Sequence, residues 1–427
     1  MKDVLIIVVP IVLLSVLCMK QIHTIIASLA ASVLLMICSG MDIYEGLTVT
    51  YMEGFVSFIQ SWFLMFLYGQ VFAKILNISG AADSLARTIL NLIGPKNISF
   101  ALTIVGFLFT CGGISAYVSV FLLVPIGVEM CRRANIPRRF CLAGFTLGSV
   151  GAFATPFVPS IQNLLCADLF GTTLGAGGGI ALGCMAVFFG LGLLYLKWYE
   201  SYCAKRGMGF IETEEEEMRE EKPAAHFSCA LIPLLIPAVL YNVFDFSIEM
   251  ALFAATCAAA VLNYKHLPHN SEEIKGLLTS SVSEAGDSCF QVCGVVGFGS
   301  IIVATSAYTN LTEALLNLNA DPLLMALVST GLLAGAAGSA SAGIVLAGPV
   351  LQQFATAATA EHIHRLIVLG AVSCDTLPNC GFLYMQAAIS KVPVKDSYLP
   401  IDFVLSLLLP LLIGILYIAI LKLAGIA

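Results

Sequence analysis

The strongest constraint on this chain is an internal duplication. Residues 69–155 can be laid on residues 297–376, and each copy reads as an apolar helix, a short amphipathic segment and two long apolar runs. Both runs of each copy are interrupted at corresponding places. The interruptions are the Gly/Ser clusters at 111–115 and 338–343 and the breaks at 155–159 and 375–379. Such a chain is expected to fold as two similar halves, with the interrupted segments in equivalent positions.

The composition places these runs in a membrane. The chain is 59% hydrophobic and 11% charged, whereas a soluble domain carries roughly 25% charged residues. Many segments stay apolar for roughly 17–25 residues, which is enough to cross a hydrocarbon core about 30 Å thick. We therefore expect a multi-pass protein of the cell (inner, cytoplasmic) membrane, with lipid as its surroundings. No basic tract points to nucleic acid.

Motifs of other functional classes are absent from the sequence. The 14 Cys residues show neither a CxxC pair nor a Cys/His spacing suited to a metal, and most lie inside apolar runs. Neither an HExxH motif nor a P-loop is present. We therefore expect no metal and no cofactor, and the sequence argues against both an enzyme and a primary pump.

The apolar segments predict an all-α polytopic fold. Two stretches, 98–131 and 322–356, are too long for one crossing, and each has its Gly/Ser cluster near the middle. We interpret them as re-entrant hairpins, whose non-helical tips must be buried in protein or line a watery cavity. The remaining spans are expected near residues 4–19, 24–40, 54–76, 141–165, 171–196, 228–244, 246–263, 284–305, 366–388 and 401–424.

The distribution of Lys and Arg sets the expected orientation of the two halves. Basic residues flank the first hairpin at both ends, so both ends are expected in the cytoplasm. Around the second hairpin the only basic residue is Arg365, at the boundary of the next span, so both of its ends are expected outside. The sequence therefore predicts two inverted-topology repeats, each with about five transmembrane helices and one re-entrant hairpin.

The first predicted repeat is residues 1–196, with the hairpin at 98–131 and a broken span at 141–165. The second is residues 228–427, with the hairpin at 322–356 and a broken span at 366–388. An acidic cytoplasmic linker, 197–227, joins them. Its acidic part, 212–221, is interpreted as a solvated linker in preference to a regulatory tail. The amphipathic segment 271–282 is expected to lie at the membrane interface, before the span at 284–305.

The second break carries the best candidate for ion coupling. Asp375 is the only charged residue between Arg365 and Lys391, and a charge kept at depth costs several kcal/mol, about 2.5–3.5 on insertion scales. With Thr376 and Asn379 it suits a hydrated cation or a proton-linked carboxylate. The competing interpretation is a structural carboxylate that caps the broken helix.

The first break offers polarity without charge. Thr155, Gln162 and Asn163 surround two prolines that should interrupt the span. Half-helix N-termini at such a break carry free N–H groups and partial positive charge, so a small carboxylate could be held without arginine. No Lys or Arg is expected near either break. The alternative is a kinked helix packed by small polar residues.

Glycine and serine at the hairpin tips complete the predicted substrate site, because glycine permits close backbone approach. Packing of helices through small residues is the competing explanation. Asp287 is a second candidate for ion coupling, or an interfacial residue near the cytoplasmic end. The tip residues are Gly112, Gly113, Ser115, Gly338, Ser339 and Ser341.

The order of these motifs resembles the gluconate:proton symporter (GntP) family, within the ion-transporter superfamily of elevator-type carriers. The resemblance covers nearly the whole chain. It implies a homodimer, a fixed scaffold with a mobile transport domain, and uptake of a small organic acid driven by a cation gradient. The segments that carry it are 77–82, 111–115, 155–159, 167–171, 338–341 and 379–382.

The chain departs from the family pattern at both breaks. The family tends to have a proline-rich first break, where this chain has the bulky Phe157 and Val158. The family's second break carries Asn-Asp, where this chain has Pro378 and Asn379, with the carboxylate at Asp375. These changes leave the acid and the coupling ion open.

The predicted function is cation-coupled symport of a small carboxylate, such as a sugar acid or hydroxy acid, with protons as the expected coupling ion. Sodium coupling is one alternative. An ion antiporter of the same architecture, with no organic substrate, is the other. A membrane-embedded enzyme or a scaffold is disfavoured, because no intramembrane cluster of His, Glu and Asp is present.

Overall fold

A computed structural model describes residues 2–20, 22–94, 97–111, 116–213, 225–244, 246–316, 321–356 and 358–426. All regular secondary structure among these residues is helical, with no strand, as the all-α prediction requires. Residues 214–221 of the predicted acidic linker lie outside the described residues.

The helices of the first half follow the predicted order. A long helix, α3, contains a π-helical stretch at Gly46–Tyr51. The helices are α1 (Lys2–Met19), α2 (Thr24–Ser39), α3 (Ile43–Ile78), α4 (Ala81–Ile93), α5 (Ile98–Cys111), α6 (Ala116–Arg133), α7 (Phe140–Ala154), α8 (Ile161–Phe170) and α9 (Gly178–Lys205).

The described helices of the second half come in the same order of long, short and paired elements. The last of them is π-helical over Tyr398–Leu408. They are α10 (Ser228–Phe244), α11 (Ile248–Leu262), α12 (Ser271–Ala304), α13 (Ser306–Leu316), α14 (Pro322–Ala337), α15 (Ala340–Leu351), α16 (Ala360–Cys374), α17 (Gly381–Ser390) and α18 (Val394–Leu423).

Among the described residues, α3, α9, α12 and α18 are long and apolar enough to cross a membrane, and several shorter helices are apolar over 10–17 residues. The outer surface is apolar as well. Leu194 on α9 and Val261 on α11 are 65% and 75% exposed. An exterior with many exposed large hydrophobic side chains suits lipid surroundings and would be a liability in water.

Both predicted breaks are confirmed as interruptions of a helix. At the first, α7 ends before Thr155, which has an extended backbone, and Ser160 caps the start of α8. Between them Phe157 adopts a φ of 68°, an unfavourable value for a bulky residue. At the second, α16 ends at Cys374 and α17 begins at Gly381.

Two predicted helix starts are wrong. The span predicted to begin near residue 284 starts at Ser271, because no proline interrupts the segment 271–282 and Asn270 caps it by accepting from the Glu272 N–H (3.1 Å). The interfacial position of that segment stays a prediction. The span predicted to begin near residue 54 starts at Ile43. There the Asp42 side chain accepts from the Glu45 N–H at 2.7 Å and stabilises an earlier helix start.

Small residues bring the helices of each half close together. In the first half, a Cβ on Gly148 of α7 would collide with the backbone oxygen of Thr103 on α5. In the second, a Cβ on Gly370 of α16 would collide with the backbone oxygen of Leu327 on α14. Helix α5 therefore lies directly against α7, and α14 against α16, as small-residue membrane packing allows. In each half, the second of these helices leads into the break.

Candidate functional site

A cavity of about 970 Å³ lies between the long helices α3 and α12 and the interrupted elements of both halves. It is large enough for a small organic molecule. Its polar lining comes from both breaks, from the ends of the paired helices and from α3 and α12. These polar residues are Thr50, Glu53, Thr110, Ser160, Gln162, Ser300, Ser339, Ser341, Asp375 and Asn379.

Helix starts converge on this cavity. Ala116, the first described residue of α6, lines it, and so do the first residues of three further helices, Ile161 of α8, Ala340 of α15 and Gly381 of α17. The first turn of a helix has N–H groups without intrahelical partners and carries partial positive charge. The charged side chains among the described lining residues are Glu53 and Asp375, so positive potential comes from backbone alone.

Asp375 is partly buried at the point where the second break meets the start of α15. Its carboxylate interacts with the N–H of Ala340. The Cys380 thiol is a weak partner at 3.9 Å. A carboxylate placed against a helix start satisfies N–H groups of that helix. This position fits both interpretations of Asp375, as a cap and as a residue that holds an ion in the cavity.

Asn379 ties the second break to the end of α14. It is 3% exposed, and its Nδ2 donates to the carbonyls of Gly335 (2.8 Å) and Ala336 (3.1 Å). Gly338 closes α14 with a φ of 64°, and a Cβ there would meet the backbone oxygen of Asn379. The side chain and backbone of one residue thereby fix the turn between α14 and α15.

Three buried oxygens of predicted site residues have no hydrogen-bond partner among the described residues. They are Asn379 Oδ1, Gln162 Oε1 and Thr376 Oγ1. Asn379 and Gln162 line the cavity, whereas Thr376 is not among its described lining residues. A buried polar atom without a partner in a native fold requires an explanation, and a ligand that donates hydrogen bonds is one.

The predicted residues Thr155 and Asn163 do not line the cavity. Thr155 donates to the Gly151 carbonyl at 2.7 Å. Asn163 is fully buried and donates to the carbonyls of Thr155 (3.1 Å) and Val158 (2.9 Å). Both side chains satisfy the backbone of the first break and determine its shape.

The prediction that no Lys or Arg lies near either break is wrong. Arg365 is 1% exposed, and its Nη1 donates to Asn163 Oδ1 at 2.8 Å and to the Ala154 carbonyl at 3.0 Å. Its Nε and Nη2 donate to the carbonyls of Leu174 and Ala176. Helix α16 carries this side chain to the first break from the other half of the chain, so sequence distance concealed the contact.

The remaining predicted residues are separated from the cavity or lie outside the described part of the chain. Asp287 on α12 is exposed and is not among the described lining residues, so the structure does not bring it to Asp375. Gly112, Gly113 and Ser115 fall outside the described residues. Their described neighbours Thr110 and Ala116 do line the cavity.

Comparison with known proteins identifies the family. The sequence model of the GntP family permease matches residues 2–264. The chain belongs to the GntP permease family. It is therefore a multi-pass membrane transporter and not an enzyme, as the sequence predicted.

Relatives of this GntP family member include transporters with a named substrate. The chain is 24% identical to the "High-affinity gluconate transporter" of Escherichia coli over 88% of its length and 89% of the relative. It is 23% identical to the "Gluconate permease" of Zymomonas mobilis, over 79% and 80%. An "Uncharacterized transporter YxjC" of Bacillus subtilis is 27% identical, over 82% and 84%.

Sequence reasoning missed two carboxylates in this GntP family member. Glu53 lines the cavity from α3, and Asp402 is 2% exposed within α18. Glu53 is the only charged residue between Glu45 and Lys74. Asp402 is the only charged residue between Asp396 and Lys422. The criterion that selected Asp375 would have found both.

Proposed function

We propose that this GntP family member is a secondary active transporter that carries a small hydroxylated carboxylate, such as a sugar acid or hydroxy acid, together with a cation. The observation that carries the proposal is the cavity itself. Helix starts from both halves and unpartnered buried oxygens from both breaks surround one space of suitable volume. The named substrate of two relatives, gluconate, has the same chemistry.

The donors and acceptors of the cavity match two ends of such a substrate. Backbone N–H groups at the starts of α8, α15 and α17 can bind a carboxylate without an arginine. The side-chain oxygens of Gln162 and Asn379 accept hydrogen bonds, so hydroxyl groups are suitable partners for them. A simple monocarboxylate without hydroxyls would leave these oxygens unsatisfied and should bind less tightly.

The carboxylates in the cavity provide the physical reason for coupling. Asp375 and Glu53 both line the space that would receive an anion. Like charges in a partly dry site repel one another, so an anionic substrate should enter only when a proton or a metal cation neutralises part of this charge. Protons are the proposed coupling ion, with sodium as the alternative.

The proposed mechanism is elevator-type alternating access in a homodimer. Residues 1–196 and 228–427 would be the inverted-topology repeats, joined by the linker 197–227, with α5–α6 and α14–α15 as re-entrant hairpins. The common order of helices in the two halves supports this arrangement. The hairpins and broken helices would move together against a scaffold that contains α3 and α12.

An ion antiporter without an organic substrate is the second candidate. It is favoured by the fact that both charged side chains among the described lining residues are carboxylates.

Uptake assays with purified protein in liposomes distinguish the symporter from the antiporter. Uptake of radiolabelled gluconate, a hydroxy acid and a monocarboxylate without hydroxyls would be measured under a proton gradient, a sodium gradient or neither. Accumulation of a hydroxylated acid under one gradient is the expected result. Cation exchange with no accumulation of any acid would replace the symporter with the antiporter.

A further inference from the structure

Asp402 is a buried carboxylate that lies outside the described lining of the cavity. It is 2% exposed, and it is not among the described residues that line the cavity. Its Oδ1 atom is buried and has no hydrogen-bond partner among the described residues. An ionised carboxylate in these surroundings is costly unless a proton or a cation neutralises it.

The backbone that carries Asp402 is unusual. Residues Tyr398–Leu408 of α18 form a π-helix, a conformation that is rare and occurs frequently at functional sites. Ser406, four residues after Asp402, is fully buried, and its Oγ also has no partner among the described residues. The two side chains lie four residues apart on one stretch, and each has an oxygen that the described residues leave without a partner.

A neighbouring helix adds to this group. Helix α7 packs against the π-helical stretch, and the buried Ser149 Oγ of α7 is a further oxygen without a partner in the described part of the chain. Carboxylate and hydroxyl oxygens are ligands that hard cations take in proteins. Two packed elements thus contribute oxygens that have no partner among the described residues and that suit a hard cation.

Asp402 is also connected to the second break. Cys380, the residue before α17, interacts electrostatically with Asp402 and lies 3.9 Å from Asp375 through its thiol. The titratable groups around the π-helical stretch include Tyr398 on the stretch itself, Cys374 at the end of α16, Cys380 and Tyr384 at the start of α17, and Tyr195 of α9, which donates to the Pro400 carbonyl at 2.8 Å. Helix α7 carries no charged residue, so no cation of the protein from that side neutralises Asp402.

We propose that Asp402 and Ser406 form a binding site for a small monovalent cation, a proton or a sodium ion, separate from the substrate cavity. A cation bound at this site neutralises the Asp402 carboxylate, which is connected to the second break through Cys380. The inference extends the proposed symport by assigning part of the cation coupling to α18. Its transport test rests on the proposed function, whereas its binding test does not.

Cation binding can be tested without transport. The melting temperature of purified protein would be measured from about pH 5 to about pH 8, and in sodium against choline at constant ionic strength. To separate the contributions of the two carboxylates, Asp375→Asn is compared with the double variant Asp375→Asn, Asp402→Asn. A ligand at tenfold above its Kd stabilises by about 1.4 kcal/mol, which for a chain of 427 residues is a shift of about 1–2 °C.

We expect the dependence on protons or sodium to persist in Asp375→Asn and to fall in the double variant to the pH dependence that the other titratable groups of the chain contribute. Dependence on pH alone identifies the proton, and dependence on sodium at fixed pH identifies sodium. The matched control is Asp396→Asn, which removes an exposed carboxylate from the same helix and should keep the full dependence. Equal dependence in Asp402→Asn and Asp396→Asn, or none in the native protein, would overturn the proposal.

Transport provides the second readout. In liposomes, Asp402→Asn should lose gradient-driven accumulation by roughly tenfold or more, in the range typical of coupling between sites. Substrate exchange across a membrane with equal cation on both sides should be retained. Should Asp402→Asn fail to fold, Ser406→Ala keeps the carboxylate. It should raise the cation concentration for half-maximal stabilisation severalfold, and an unchanged value would count against the site.

The two proposals can fail separately. If native protein accumulates no acid under any gradient, while the cation dependence of melting still maps to Asp402, the symporter is wrong and the cation site stands. If native protein accumulates an acid and Asp402→Asn does so with the same pH and sodium dependence, the symporter stands and the Asp402 site is wrong.

Discussion

The two breaks lie at matched positions of the duplicated sequence and have different chemistry. In the first, the side chains of Thr155 and Asn163 donate to nearby carbonyls, and Arg365 satisfies the Asn163 oxygen. In the second, the oxygens of Thr376 and Asn379 remain without partners among the described residues, beside Asp375. The first break is closed by the protein itself except at Gln162 Oε1, whereas the second leaves several groups for a ligand.

Duplication determined where the backbone breaks but not the chemistry of each break. Arg365 comes from the second half and anchors the first break, so the two halves are not independent units. The first break is suited to hold a helix start still, whereas the second has unsatisfied groups that a cation or substrate can complete.

The largest expected effect comes from removing the anchor. Arg365→Met removes a buried donor from Asn163 Oδ1 and from three backbone carbonyls, although the Leu174 carbonyl keeps the Phe157 N–H as a donor. Breaking such a buried charged network costs about 3–5 kcal/mol, a large part of the stability of a typical domain. We expect little folded protein, measured as the monodisperse peak in size-exclusion chromatography of a fluorescent fusion.

Two variants make this result specific. Arg206→Met removes an exposed arginine at the end of α9 and should leave the peak unchanged. Arg365→Lys keeps the charge and loses the fork of donors, so it should give an intermediate yield. A normal yield of Arg365→Met would mean that the first break is not anchored from the second half.

The next largest effect concerns coupling. Asp375→Asn removes the carboxylate beside the start of α15, and we expect gradient-driven accumulation to fall by up to about 100-fold, with the fold retained. Asp287→Asn is the control, since Asp287 is exposed and distant from the described cavity lining. Uptake in liposomes checks both. Equal loss in the two variants would restore Asp287 as a coupling residue, and no loss in either would leave Asp375 as a cap.

The sequence predicted the local parts of this site and missed the long-range ones. Helix ends follow from neighbouring residues, such as the proline and Ser160 at the first break, so the interruptions could be placed in advance. The contact of Arg365 with Asn163 joins residues 202 positions apart, and nothing local to either residue indicates it. Only the lone charge in an apolar run could have pointed to Glu53 and Asp402.

A smaller effect tests the unpartnered oxygens. Gln162→Leu removes Oε1 from the cavity wall, and we expect the affinity for a hydroxylated acid to fall by about threefold to tenfold, the worth of one hydrogen bond. Gln386→Leu is the matched control, because Gln386 is equally buried but bonds Thr146 away from the described cavity lining. Competition binding on purified protein measures both. Equal affinity in Gln162→Leu and the native protein would remove Gln162 from the site.

The smallest effects should have opposite signs at the matched threonines. Thr155→Val removes the bond to the Gly151 carbonyl, so we expect a loss of about 0.5–1.5 kcal/mol in stability and no change in substrate affinity. Thr376→Val replaces a buried hydroxyl without a described partner, so stability should be unchanged or rise, while affinity for substrate or cation falls.

Thermal melting with and without gluconate separates these outcomes, because it reports stability and ligand binding on the same sample. If both variants lose stability and neither changes the response to ligand, the second break is as closed as the first. The unpartnered oxygens would then be satisfied by water, and the division between an anchored break and a ligand-binding break would fail. If only Thr376→Val weakens the response, the hydroxyl at the second break belongs to the ligand, and the anchored role of the first break follows from the contrast.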